Sequence, residues 1–376
     1  MAPSIPPGQL PESVKRANLK VIDLSKLESG SSSEHASLLK ACIEDGFFYL
    51  KLVNTLERPV LEYAKKTLQL SEEVFAHDPA VKDLFDVDKV SHNKTNGYKP
   101  RGRNIVSKDG TRDAFESWVV SVVILIRLPA MLFLTVIKIP RSGLFQLGDE
   151  PFPHPPVVAT GMKLLRSFAA ELGSAAQTIF TSLSDSLSLE PGQRFEGFHD
   201  PSRPTSDILR LLKYHADDRT GNVPHTPHTD LGSLTFVFTS TAGLQVLPVN
   251  IQSAAGNQLP SEADWRYVAP LEGHAIVNIG DCMRKMTNGL LKSVLHRVGP
   301  LPGHPMPERY SLAYLMRPED STPLRVLDSP LITAPQNRED SVTSGEWIQS
   351  KFKALRGVHD PKNGDRIIAG GRGVFV

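Results

Sequence analysis

The chain has 376 residues, 40% of them apolar and 22% charged, with a formal net charge of +1. That length can bury a large core and fits two or three domains or one elaborated one, and the near-neutral balance gives no electrostatic case for nucleic acid or an anionic membrane as partner. Cys42 and Cys282 are the only cysteines and residues 1–20 carry no apolar segment of a secretory signal, so a reducing compartment, the cytoplasm, is expected.

In chain order, the proline-bearing residues 1–19 read as a flexible arm and residues 21–24 as a short apolar strand. The serines at 31–33 cap a helix over 34–44, with Leu38, Leu39 and Ile43 at helical spacing and Gly46 to stop it. Residues 47–50 return to strand. Helices are expected over 58–75 and 157–187, the second with Met162, Leu165, Phe168 and Leu172 along one stripe, which core packing explains. Between these helices, residues 119–139 are almost continuously apolar but are interrupted by Arg127, Pro129 and Lys138. A membrane span there would thread a globular domain through a bilayer, and none is expected.

Beyond Asp207 the period changes from helical to alternating. Residues 208–214, 233–238, 244–247, 275–279, 293–298 and 310–316 read as short strands separated by Gly, Pro, Asn and Asp. Many short strands without helices between them predict a sandwich or jelly roll in place of a parallel sheet. A closing helix over 346–356 and a glycine-rich tail from Gly370 follow.

The strand-rich half also carries the chemistry. His228-Thr229-Asp230 is followed 68 positions later by His296 and then by Arg309-Tyr310-Ser311. Residues two apart in an extended strand point to one side, so His228 and Asp230 can bind one ion while Thr229 faces away. Two imidazoles and a carboxylate can hold one face of an octahedral Fe(II) and leave three positions open. The same parity puts Arg309 and Ser311 on one face, where a guanidinium fork and a hydroxyl suit the far carboxylate of a small dicarboxylic acid. A lone His-x-Asp is weak in a chain with 12 histidines, because a structural hydrogen bond explains it as well. By parity His225, three residues before His228, is expected on the other face in a loop or supporting role. His274 and His304 sit beside glycine and proline and are expected in solvent.

The flanking residues add context. His228 to Ser233 (His-Thr-Asp-Leu-Gly-Ser), Gly243-Leu244-Gln245-Val246, Val277 to Asp281 (Val-Asn-Ile-Gly-Asp), Lys292 to Val298 and Glu308 to Pro318 resemble, in order and spacing, the 2-oxoglutarate/Fe(II)-dependent dioxygenase family of the isopenicillin-N-synthase-like type. Upstream, Lys20 to Leu24, Ala41 to Leu50, Gly97-Tyr98-Lys99-Pro100 and Phe115-Glu116-Ser117-Trp118 look like that family's amino-terminal region, so the resemblance covers most of the chain. It implies a mainly β fold with α, in which a double-stranded β-helix (jelly-roll) core over 206–335 follows a mostly helical region over 1–205 and precedes a C-terminal helix and tail over 336–376. It also implies Fe(II) on His228, Asp230 and His296, 2-oxoglutarate with its far carboxylate on Arg309 and Ser311, and O2 as the second co-substrate. Tyr214 stands where relatives carry a tyrosine that hydrogen-bonds the co-substrate's carboxylate near the metal, although Leu212 replaces the asparagine common in plant members. Asn278, Asp281 and Asn288 are expected as turn and supporting groups that orient the metal-bearing strands, and Arg101, Arg103 and Phe115 to line the pocket by family position.

The implied reaction converts 2-oxoglutarate to succinate and CO2 while a small organic molecule of specialised metabolism is hydroxylated, desaturated or cyclised by a monomeric enzyme. Two alternatives stay open: an Fe(II) oxidase of the same fold that needs no 2-oxoglutarate, and a catalytically inactive binding module.

Residues 119–148 fall outside this resemblance, as an atypical apolar insert between blocks 115–118 and 151–156 that a short polar connection joins in relatives. Val120-Ser121 can be encoded by GTAAGT and Phe145-Gln146 by TTTCAG, a typical splice donor and acceptor, and residues 120–146 make 27 codons, which preserve the frame. A translated intron lying outside the jelly-roll core is expected. A genuine inserted hairpin or helix over the pocket is the alternative.

Overall fold

The computed structural model describes residues 10–52, 59–91, 96–104, 112–122, 154–200, 203, 205–217, 223–255, 260–334 and 342–355. The first part of the chain forms β1 (Val21–Asp23), α1 (Leu24–Glu28), α2 (Ser32–Glu44), β2 (Phe47–Lys51), α3 (Val60–Ala76), α4 (Pro79–Asp83), α5 (Val87–Val90), β3 (Gly97–Lys99), β4 (Phe115–Ser121) and the long α6 (Pro156–Ser186). The strand-rich part holds β5 (Ile208–Tyr214), β6 (His225–His228), β7 (Leu234–Phe238), β8 (Leu244–Val246), α7 (Val249–Ala255), β9 (Arg266–Tyr267), β10 (His274–Ile279), α8 (Asp281–Met286), β11 (His296–Val298) and β12 (Arg309–Met316), and α9 (Ser344–Leu355) follows.

Two sheets result. The larger runs β1-β2-β10-β7-β12-β5-β4-β3 and the smaller β6-β11-β8-β9, so the first part of the chain gives four strands to the larger sheet. Their side chains sort by the period of two. Phe47 and Tyr49 of β2, Phe115 of β4 and Leu212 and Tyr214 of β5 pack with Leu244, Val246 and Val298 of the smaller sheet in a core between the sheets. Their neighbours Phe48, Leu50, Trp118, Leu209 and Leu211 face the opposite way, into a second core with α3 and α6. A strand buried on both faces reads as a continuous apolar run, which accounts for Phe47 to Leu50. On the helical side, the α6 stripe of Met162, Leu165, Phe168 and Leu172 is buried as expected, each such chain contributing roughly 1.5–3 kcal/mol on burial.

Local signals explain several boundaries. The strand at residue 21 stops at Asp23 because that side chain accepts from Ser25 N–H and starts α1, a helix that the alternating pattern does not reveal. Ser31 does precede α2, but its hydroxyl meets Ser33 and caps no backbone group. Gly46 ends α2 with φ +65°, and a Cβ there would fall 2.3 Å from Lys292 O, so both conformation and space require glycine.

The apolar insert needs a correction at its start. Val119, Val120 and Ser121 pair with Arg210, Leu209 and Ile208, and Val120 and Val122 are buried, so these positions belong to the core strand β4 and its end. Residues 123–153 lie outside the described residues, as do the arm before Leu10 and the tail after Leu355. Among the described residues no helix is long and apolar enough to cross a membrane.

Candidate metal centre

His228 ends β6 and His296 begins β11, and the two are direct partners across an antiparallel pair. Asp230 follows two residues after His228, on a loop clasped to the start of α8: Asp281 N–H donates to Asp230 O at 2.8 Å, Gly280 N–H to Ser233 O at 2.8 Å and Cys282 N–H to Gly232 O at 2.9 Å. Gly280 permits this approach, since a Cβ there would lie 2.2 Å from Gly232 O. The Leu-Gly-Ser and Ile-Gly-Asp segments are therefore the two halves of one backbone clasp. Thr229 faces away, as parity requires, and its hydroxyl donates to Asp281 Oδ2 at 2.9 Å.

The three expected ligands converge. His228 Nε2 and His296 Nε2 lie 4.0 and 3.9 Å from Asp230 Oδ1, and the three donor atoms fall within 4.8 Å of one another. Donors adjacent on an octahedral ion at bonds of ~2.1 Å would be ~3 Å apart, so the two His–Asp pairs would close by about 1 Å to hold one. The atoms behind them are committed. Asn278 Nδ2 donates to Asp230 Oδ2 at 2.8 Å, and His296 Nδ1 lies 3.1 Å from Val294 O, which fixes its proton there and leaves Nε2 as the metal-facing acceptor. Burial pushes the Asp230 carboxyl up, but the His296 and His228 charges and hydrogen bonds from Thr235 and Asn278 outweigh it and hold the group below the ordinary carboxylate range.

Arg309 and Ser311 also fall where parity puts them, on the between-sheet face of β12, with Arg309 opposite Tyr214 in register. Arg309 is 1% exposed; its Nε donates to Thr241 O at 3.2 Å and its guanidinium carbon is 5.0 Å from the Tyr214 ring centre. Burial lowers its pKa. Its Nη1 has no hydrogen-bond partner and no carboxylate pairs with it among the described residues. A buried cation left this way is a built receptor for an anion, so the residues fit the carboxylate of a co-substrate.

His225 departs from its expected place. Its ring stacks on that of His228, with centres 4.1 Å apart and planes 17° apart, and packs against Phe115 at 4.3 Å with the planes tilted by 33°. The cause is a bulge: His296 pairs with His228 and Val298 with His225, so three steps on β6 oppose two on β11. The extra residue lies in Thr226-Pro227, where proline has no N–H to give the ladder, and it returns His225 to the face of His228. A proline between the two histidines was the available signal.

The sequence gives no signal for His199, which supports the loop of Asp230. Its ring stacks on Phe180 at 4.0 Å, and burial, the largest influence, brings its pKa down to about 4. With Nδ1 2.6 Å from Phe195 O and Nε2 2.7 Å from Ser233 Oγ, it pins the segment just after Asp230. Other expected residues lie elsewhere. Asn288 has φ +48° and donates to Thr333 O in an exposed turn, so it forms a turn without orienting a metal-bearing strand. Arg103 pairs with Asp86 and Asp88, Arg101 is exposed, and of the three pocket candidates Phe115 alone packs beside the histidines.

Comparison with known proteins agrees with this geometry. Residues 205–318 match the model of the 2OG-Fe(II) oxygenase superfamily. The chain is 31% identical over 354 residues to the 2-oxoglutarate-dependent dioxygenase gloE of Glarea lozoyensis, covering 94% of this chain and 92% of that protein. It is 27% identical over 363 residues to the 2-oxoglutarate-dependent dioxygenase frbH of Dothideomycetidae sp., covering 96% and 97%. In fold it is similar to a full-length Neurospora crassa protein solved in complex with alpha-KG and thymine, with a TM-score of 0.67, 20% identity and coverage of 94% of this chain and 100% of that one. Identity of 31% along nearly the whole of both chains, on a jelly-roll core with a convergent His-Asp-His set, establishes that the chain belongs to the 2OG-Fe(II) oxygenase superfamily and is an Fe(II)- and 2-oxoglutarate-dependent dioxygenase.

Proposed function

We propose that His228, Asp230 and His296 hold the Fe(II), that Arg309, Ser311 and Tyr214 hold the far carboxylate of 2-oxoglutarate, and that the substrate is a small organic molecule of specialised metabolism. The observation that carries the reading is the Arg309 guanidinium, buried without a carboxylate partner among the described residues, in the same between-sheet layer as the three converging donors. When bound, the metal and its co-substrates supply the oxidising chemistry: O2 is reduced by four electrons, two from decarboxylation of 2-oxoglutarate to succinate and two from the substrate.

The protein's part is placement. Val294 O holds the His296 proton on Nδ1, Asn278 occupies one Asp230 oxygen so that the other faces the imidazoles, and Phe47 packs edge-on against His296 at 5.4 Å. Phe47, Phe115, Leu212 and Val246 line the layer with apolar surface, which limits water around a reactive centre. Residues 206–335 form the catalytic core in this reading, with 1–205 supplying four strands of the larger sheet and 336–376 the closing helix. The near-neutral charge gives no electrostatic case for a nucleic-acid or membrane partner, and the proposal takes the protein as a monomer of the cytoplasm.

Succinate release during incubation with a panel of small organic substrates tests the function. Succinate and oxidised product in equal amounts are expected. Turnover that proceeds without 2-oxoglutarate assigns the protein to the oxidases, and failure to bind Fe(II) makes it a binding module.

A further inference from the structure

His225 is placed to do more than fill space. Its ring stacks on the proposed ligand His228 and packs against a tilted Phe115, while its Nδ1 is 3.1 Å from Tyr214 Oη. Tyr214 is itself buried, lies opposite Arg309 in register, and has the Arg309 guanidinium carbon 5.0 Å from its ring centre. One side chain therefore touches both halves of the site, the metal-facing imidazole through its plane and the co-substrate pocket through its edge.

We infer that His225 is a positioning residue that donates from Nδ1 to Tyr214 Oη, turning the phenol hydrogen toward the carboxylate pocket of Arg309 and Ser311, and that its ring fixes the plane of His228. The inference rests on the proposed function. The direction of the bond follows from need: Arg309 presents only donors, so the phenol is useful to an incoming carboxylate when its own O–H points there, and it does so when its oxygen accepts from His225. Accepting one hydrogen bond also strengthens the one the phenol donates. The bulge at Thr226-Pro227 is what makes the arrangement possible, because a regular strand would send His225 to the outer face.

Three variants separate the hydrogen bond from the ring. His225→Phe keeps a ring to stack and loses Nδ1, His225→Asn keeps a donor near the Nδ1 position and loses the ring, and Tyr214→Phe removes the phenol. Calorimetry under anaerobic conditions measures Fe(II) binding alone and then 2-oxoglutarate binding to the metal-loaded protein, and steady-state kinetics with each variant divides KM from kcat. His225→Phe and Tyr214→Phe are expected to weaken 2-oxoglutarate roughly three- to tenfold, the worth of one net hydrogen bond, in KM with kcat nearly unchanged. Their double variant should be no weaker than Tyr214→Phe alone, since without the phenol His225 has no hydroxyl to turn. His225→Asn should recover most of the 2-oxoglutarate affinity but weaken Fe(II). Unchanged 2-oxoglutarate binding in a folded His225→Phe, or additive losses in the double variant, overturns the inference and leaves the proposed function standing. Wild-type protein that binds neither Fe(II) nor 2-oxoglutarate overturns both.

Discussion

Asn278 Nδ2 donates to Asp230 Oδ2 at 2.8 Å, across from the larger sheet to the loop beyond β6. This bond decides which carboxylate oxygen is left for an ion. Asn278→Ala is expected to lower Fe(II) affinity by roughly 10–100-fold, as for other partners that orient a metal ligand, with little change in thermal stability. A metal titration of the variant checks it, and affinity equal to wild type would separate Asn278 from the centre.

His228→Ala and Asp230→Ala should each lose Fe(II) binding and turnover while melting within a few degrees of wild type, because the donors face an open position and not the packed core. Iron content after desalting and a thermal scan are the measurements. Retention of full iron and activity in either variant removes that residue from the ligand set.

Arg309→Leu takes away the only charge that faces the proposed carboxylate from β12. The loss should be about 2–5 kcal/mol of 2-oxoglutarate binding, or tenfold in affinity for every ~1.4 kcal/mol. Titration of the metal-loaded variant with 2-oxoglutarate reads this directly. Equal affinity would show that the co-substrate is anchored elsewhere.

A pH dependence comes from a different cluster. Glu116 accepts from Lys82 Nζ at 2.8 Å and Tyr98 Oη at 2.7 Å, with His215 Nε2 at 3.1 Å from its other oxygen. Burial pushes its carboxyl up, but these partners outweigh burial and hold it at about 2. Since the folded pKa lies below the unfolded value of ~4.3, the stabilisation is complete above that value and is lost as pH falls from ~4.3 toward 2. Glu116→Gln should flatten the stability profile in that window. At neutral pH it leaves Lys82 buried without its charge partner, at a cost of about 3–5 kcal/mol. Denaturant titrations at a series of pH values test both effects.

The apolar insert leads to a prediction about the message. Residues 120–146 are expected to be absent from the mature transcript, so that Leu147, Gly148 and Asp149 take the places of Val120, Ser121 and Val122 at the end of β4. Transcript sequencing settles it, and expression of the shortened chain should raise soluble yield. If all mature messages keep these codons, or if the deletion destroys solubility because β4 has lost its buried valines, the segment is a genuine part of the protein.

The sequence made β5, α6 and the convergence of His228, Asp230 and His296 legible for one reason: each is written in a period that its burial enforces. Residues 208–214 were bounded as they occur, because Leu209 and Leu211 face one core and Leu212 and Tyr214 the other. The two-residue β9 and three-residue β3 are too short for a period to register. His225 was misplaced because parity counts residues and a bulge inserts one, and α1 was hidden because its start depends on the Asp23 side chain.

The proposed ligands His228 and His296 stand on the smaller sheet, whereas Arg309 stands on the larger. Facing sheets keep a separation of about 10 Å. The gap acts as a ruler for the diacid that must reach from one wall to the other, so chain length is measured by the thickness of the sandwich. In the proposed reading, an oxo-diacid one methylene shorter would fall short of the guanidinium and one methylene longer would have to buckle. Discrimination among such acids is thereby a property of the whole scaffold, and a substitution that thickens the layer at Phe47 or Leu212 would retune it without touching any group that binds the acid.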